Sequence, residues 1–113
     1  MSCRCNNALR EEVLHGTDFK VTVHLDAIGE LHMRDYDFSC EFFAYRNKSL
    51  VIRKADMIEI NEDNYKAMIT KEDAVILGRG DITCIIRPEL PDEDFADGIR
   101  SDGVKICTNI TII

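Results

Sequence analysis

Phe19-Lys20-Val21-Thr22-Val23-His24-Leu25 decides the fold class. Apolar Phe19, Val21, Val23 and Leu25 alternate with polar Lys20, Thr22 and His24, and a two-residue period puts successive side chains on opposite faces of a strand. The stretch reads as a strand with one buried and one wet face, with His24 on the wet one. Upstream the period is absent. Residues 8–14 fit a short helix with Leu9 and Val13 on one face, too short to be stable alone. Residues 1–17 are therefore expected to form an N-terminal arm or short helix, and residues 18–113 the main domain.

Downstream the same period recurs. In residues 37–45, Phe38, Cys40, Phe42 and Ala44 face one way, Ser39 and Glu41 the other. Arg46-Asn47-Lys48-Ser49 reads as a polar hairpin connection into Leu50-Val51-Ile52. Met57, Ile58 and Ile60 fit either the end of that strand or the start of another. Asn61-Glu62-Asp63-Asn64 is a turn cluster, after which Tyr65, Ala67 and Ile69 alternate with Lys66, Met68 and Thr70. Lys71-Glu72-Asp73 reads as a turn, residues 74–77 as a short apolar piece, and Gly78-Arg79-Gly80 as a break. Ile82, Cys84 and Ile86 alternate with Thr83, Ile85 and Arg87. Pro88 and Pro91 are expected to stop that strand, because neither has an N–H to give a ladder. An acidic loop runs to Gly103, and residues 104–113 read as the last strand. Short strands with regular turns indicate an all-β sandwich or small barrel.

The chain has 113 residues, 45% hydrophobic and 31% charged, which fits one globular domain able to bury a core without a disulfide or metal. Its formal net charge of -7 opposes nucleic-acid binding, which rests on Lys and Arg contacts to phosphate. No nucleic-acid partner is expected, although Arg46, Lys48, Arg53 and Lys54 fall close together. No apolar run approaches the ~20 residues of a spanning helix, and residues 1–12 lack the apolar stretch of a signal peptide. A cytoplasmic or virion-associated protein without a membrane partner is expected. Five cysteines, an odd number, fit a reducing compartment better than a disulfide framework.

Candidate chemistry is sparse. Cys3 and Cys5 have Cys-x-Cys spacing, but closed zinc sites need four ligands at other spacings. Cys40, Cys84 and Cys107 sit singly within strands, where free cysteine acts as a small hydrophobe. His15, His24 and His32 show no His-x-x-x-His or Glu-x-x-His pairing and read as surface histidines. The densest acidic feature is Pro91-Asp92-Glu93-Asp94-Phe95-Ala96-Asp97-Gly98, with Asp102 following. Asp92, Asp94, Asp97 and Asp102 offer hard oxygens suited to calcium, yet Gly98 is one position late for an EF-hand and Gly103 stands where its bidentate Glu belongs. Solvated loop acids are the plainer reading. Arg79-Gly80-Asp81 matches an adhesion tripeptide by chance, and its glycines serve a turn. No catalytic residue and no cofactor is assigned, so a non-enzymatic domain is expected.

Several short motifs occur in a familiar order: Lys20-Val21-Thr22-Val23, Met33-Arg34-Asp35-Tyr36-Asp37-Phe38, Lys54-Ala55-Asp56-Met57 and Asp63-Asn64-Tyr65. Leu77-Gly78-Arg79-Gly80-Asp81, Leu90-Pro91-Asp92-Glu93-Asp94-Phe95 and Asp97-Gly98-Ile99-Arg100 follow. Over residues 18–112 the chain resembles the immunoglobulin-like domains of phage and prophage tail or baseplate proteins of Bacteroides-type genomes, baseplate upper proteins among them. The resemblance implies an immunoglobulin-like β-sandwich of about seven strands, acting as a structural module that binds its own copies or other phage structural proteins. Members of the upper-protein kind carry this domain at the start of a longer chain, so a chain ending at Ile113 is expected to be a small accessory or connector. Phe43 and Tyr45, with Ile85 and Ile113, fall on outward faces of their strands and are the expected interface. The alternative is a carbohydrate- or protein-binding module whose acidic loop holds calcium.

Overall fold

The computed structural model describes residues 11–44 and 48–113. Its strands are β1 (Glu11–Val13), β2 (Phe19–His24), β3 (Asp37–Ala44), β4 (Leu50–Arg53), β5 (Ile58–Asn61), β6 (Asn64–Ile69), β7 (Gly80–Pro91), β8 (Ile99–Ser101) and β9 (Val104–Ile112), with one helix, α1 (Lys71–Leu77), between β6 and β7. They form a larger sheet in the order β1-β9-β7-β3-β4, with β8 on β7, and a smaller one in the order β2-β6-β5. The protein is an all-β sandwich. The pairing β2-β6-β5 opposite β9-β7-β3-β4 is the B-E-D and G-F-C-C′ arrangement of an immunoglobulin sandwich. β1 adds parallel to β9, and β8 turns back on β7; without these two additions seven strands remain.

Alternation sets the core. β2 buries Phe19, Val21 and Val23, β3 buries Phe38, Cys40, Phe42 and Ala44, and β6 buries Tyr65, Ala67 and Ile69. β7 contributes Ile82, Cys84, Ile86 and Leu90. The two sheets close over these side chains, as two half-wet sheets must if their apolar faces are to leave water. Antibody domains bridge their sheets with a disulfide beside a buried Trp. This chain has no Trp, β2 has no cysteine, and Cys84 of β7 is free. Phe42, fully buried, is the largest side chain in the middle of the core.

Several expectations change. Glu11–Val13 is a strand on β9, with Glu11 opposite Ile110 and Val13 opposite Ile112, where residues 1–17 were expected to form an arm or a short helix. The first ten residues, Cys3 and Cys5 included, lie outside the described residues, as do residues 45–47. Residues 71–77 are helical rather than a turn and an extended piece. The Thr70 hydroxyl accepts from Asp73 N at 3.2 Å and caps the helix, Ala74 and Leu77 bury its inner face, and Gly78 ends it at φ 76, where a Cβ would be strained.

Pro88 does not stop β7, which continues to Pro91. Its carbonyl accepts from Asp102 N at 3.0 Å, so its missing N–H faces the break between β8 and β9 and leaves the pairing with Phe38 of β3 undisturbed. Cysteine usage also departs from expectation. Cys40 and Cys84 are free and buried, but Cys107 is disulfide-bonded; a count of cysteines cannot say which of them meet in space. The Cys84 thiol, hydrogen-bonded with Cys40 and buried, is pushed far up in pKa and stays protonated.

Replacing Phe42 by Ala is expected to cost about 3–5 kcal/mol, the usual loss for a large aromatic in a closed core. Urea unfolding followed by circular dichroism should show a lower midpoint with an unchanged slope.

Candidate functional site

The densest set of chemically capable side chains sits at one end of the smaller sheet. β5 and β6 are joined by a two-residue turn, Glu62-Asp63, between the paired Asn61 and Asn64. Asn61 Oδ1 accepts from Asp63 N at 3.0 Å and from Asn64 Nδ2 at 2.8 Å, which fixes the turn from inside, as Asn does in tight turns. The turn lies against the short 3-10 segment Met33–Asp35. Met33 N donates to Asp63 Oδ1 at 3.3 Å and Arg34 N to Glu62 O at 3.0 Å. Buried Met33 anchors that segment to the core, so the turn is held on a rigid base.

Two histidines converge on it. His32 precedes the 3-10 segment, and its Nδ1 lies 2.9 Å from Asp63 Oδ2 and 3.9 Å from Glu62 Oε1. His24 ends β2; its Nδ1 lies 3.0 Å from Asp63 O and its Nε2 2.8 Å from Asp26 Oδ1. The Asp63 carboxylate beside His32 raises the imidazole pKa above its ordinary 6.5, and Asp26 does the same for His24. Conversely, His32 holds the Asp63 carboxyl below the usual range. Ligand atoms of His32, Glu62 and Asp63 all lie within 4.8 Å of one another, and among the described residues theirs is the one such group of three.

A second polar network braces the first. Arg34 forks onto Glu59, Nε to Oε1 at 2.9 Å and Nη2 to Oε2 at 3.1 Å, and Tyr65 donates to Glu59 Oε1 at 3.0 Å. Arg34 and Tyr65 hold the Glu59 carboxyl below its ordinary value, while burial and that same bond push the Tyr65 hydroxyl up to about 12. Lys54 Nζ donates to Tyr36 O at 2.7 Å and Arg34 O at 2.9 Å, and lies 5.8 and 5.7 Å from the ring centres of Phe38 and Tyr65, a cation–π position.

The residues singled out from sequence lie elsewhere. Asp92, Asp94, Asp97 and Asp102 belong to the β7–β8 hairpin and its exit. Asp92 Oδ1 accepts from Asp94 N, Asp97 Oδ1 from Ile99 N and Asp102 Oδ1 from Gly103 N, while Asp92 Oδ2 faces Arg100 at 3.6 Å. These carboxylates shape turns. Phe43 and Ile85 share the outer face of the larger sheet as diagonal neighbours, Phe43 being opposite Thr83 and Ile85 opposite Glu41; both are partly exposed. Ile113 lies just past β9, exposed, its N–H bonded to Val13 O. Tyr45 is outside the described residues. His24 does lie on the wet face of β2, but its meeting with the turn was invisible to local pattern. Among the described residues no helix is long and apolar enough to cross a membrane.

Glu59 supplies a pH test. Its folded pKa is lowered from 4.5, so its contribution to stability is full above that value and is lost as pH falls through the lowered pKa. The melting-temperature gap between wild type and Glu59→Gln is expected to be constant from neutral pH down to about pH 5 and to close in stronger acid. A gap independent of pH would rule out the ionic pairing as its source.

No protein-family model, curated protein or solved structure matches this chain, and its candidate site therefore stands on the geometry of its own residues.

Proposed function

We propose that this chain is a non-enzymatic structural module that self-associates, as the resemblance to phage and prophage tail or baseplate domains implies, and that it does so head to tail. The supporting observation is a pair of complementary surfaces at opposite ends of the molecule. One is the hairpin tip between β7 and β8, where Asp92, Glu93, Asp94 and Asp97 surround Phe95, 49% exposed. Gly98 at φ 74 closes that tip, and every residue from Glu93 to Ser101 is exposed.

The other is the outer face of the smaller sheet. Met68, opposite Lys20, and Ile58, opposite Lys66, are diagonal neighbours there, 43% and 49% exposed. Beside them lies a cavity of about 270 Å³ lined by Asp18, Phe19, Lys20, Met68, Ile69 and Thr70. Lys20 and Lys66 flank these apolar side chains, with Asp18 also in the cavity lining, and the two cations suit an aromatic anchor ringed by carboxylates.

Geometry puts the surfaces apart. β2 runs from the cavity at Phe19 toward His24, and the segment after it leads to Asp37, which pairs with Glu89 at the base of the hairpin. Tip and cavity thus sit at opposite ends of a body 44 Å long. A tip that fills the cavity must fill that of a neighbour, and such a heterologous contact builds rings or filaments.

Light scattering after size-exclusion chromatography is expected to show mass that rises with protein concentration and falls as salt screens the contact. Phe95→Ser and the double variant Lys20→Glu/Lys66→Glu should each run as monomers, since each lacks one end of the contact. Mixed together they should still form a dimer, because each keeps one intact surface; an isologous contact would not be restored by mixing. A strict monomer at all concentrations would overturn the proposal.

A further inference from the structure

We propose that His32 Nδ1, Asp63 Oδ2 and Glu62 Oε1 form a binding site for a zinc-class divalent ion, with a fourth coordination position left open. The site does not depend on the assembly reading, since none of its ligands belongs to the hairpin tip or the cavity.

The donor set fits the ion. One imidazole nitrogen with two carboxylate oxygens suits zinc and its first-row neighbours more than calcium, which takes six or more oxygens. Zinc bonds of ~2.0–2.2 Å in tetrahedral geometry place ligand atoms about 3.3–3.6 Å apart. His32 Nδ1 stands 2.9 Å from Asp63 and 3.9 Å from Glu62, and all three ligand atoms lie within 4.8 Å of one another, so a swing of the exposed Glu62 side chain by about an ångström brings the three onto one ion. The backbone is already set: Asn61 fixes the turn, and Met33 and Arg34 N–H groups hold it to the 3-10 segment. Met33 N occupies Asp63 Oδ1 and leaves Oδ2 toward His32, the outer-shell bonding that orients ligating carboxylates.

Two features exceed what a plain His–Asp staple needs. Glu62 is too far from His32 to hydrogen-bond, yet it aims a second negative charge at the same nitrogen. Tyr36, which ends the 3-10 segment that holds the turn, is 5% exposed and its hydroxyl has no hydrogen-bond partner. Asp63 is the charge that acts on it, alongside its burial. Binding to imidazolium releases one proton from His32 to solvent, so acid weakens it.

The test is titration of the full chain with Zn²⁺ and, for its visible spectrum, Co²⁺. One ion per chain is expected, with cobalt absorption of a nitrogen and oxygen site and a melting temperature that rises with Zn²⁺. Glu62→Gln should weaken binding at least about tenfold, and His32→Asn should abolish it. Glu62 is exposed, so Glu62→Gln should melt like wild type without metal, which separates lost binding from lost folding. Absence of binding in excess metal would overturn the site. So would affinity unchanged in both variants, or a sulfur-to-cobalt charge-transfer band, which would put the ion on cysteine.

Discussion

The antiparallel register between β3 and β7 is the constraint on which the rest depends. Asp37 stands opposite Glu89 and Ala44 opposite Ile82, without a break. That register puts Phe38, Cys40, Phe42 and Ala44 beside Ile82, Cys84, Ile86 and Pro88 on the core face. A slip of one residue would turn each of these outward. On the other face Glu41 and Arg87 meet at 3.0 Å across the same pair, and a slip would part them. β4 and β9 then attach to the flanks of this central pair, so their positions follow from it. Its far end carries the β7–β8 hairpin clear of the sandwich, because β7 outlasts β3.

How much of this was legible in the sequence depends on how local the cause is. β2, β3, β6 and the first half of β7 announce themselves because one face meets the core and the other meets water. β1 does not: Glu11-Glu12-Val13 has no alternation, and it is a strand only because β9 offers a parallel edge. α1 had a local signal that the alternation of β6 overshadowed, a Thr-x-x-Asp cap at Thr70 and Asp73. Pro88 misled because a missing N–H matters only on a bonded side, and the side is set by a neighbour far along the chain.

The candidate site was less legible still. Only the turn Asn61–Asn64 could be read, and its sequence says nothing of what packs against it. His32 and His24 reach Asp63 across 31 and 39 residues, distances at which sequence spacing carries no geometric information. Their meeting follows from topology: β2 and the 3-10 segment before β3 both end where the β5–β6 turn lies. The acidic loop drew attention through density alone, yet its carboxylates are spent on the turns of its own hairpin. Density of charge is a property of composition, whereas convergence is a property of the fold.

The same topology puts the two proposed contact surfaces at different ends, and under the proposed assembly this bears on how copies can meet. The β5–β6 turn, its histidines and the acidic hairpin share one end, while Lys20, Met68 and the cavity mark the other. Stacking two copies by a twofold through the lysine face would set Lys20 and Lys66 against their own images, and pairing tip to tip would oppose Asp92, Asp94 and Asp97 in the same way. Either contact sets like charges together on a chain of net charge -7, a cost paid over a short distance where salt screens poorly. Head-to-tail contact sets the hairpin carboxylates against Lys20 and Lys66, with Asp18 also lining the cavity. Under the proposed assembly, repulsion in those two orientations favours a heterologous contact over a closed pair.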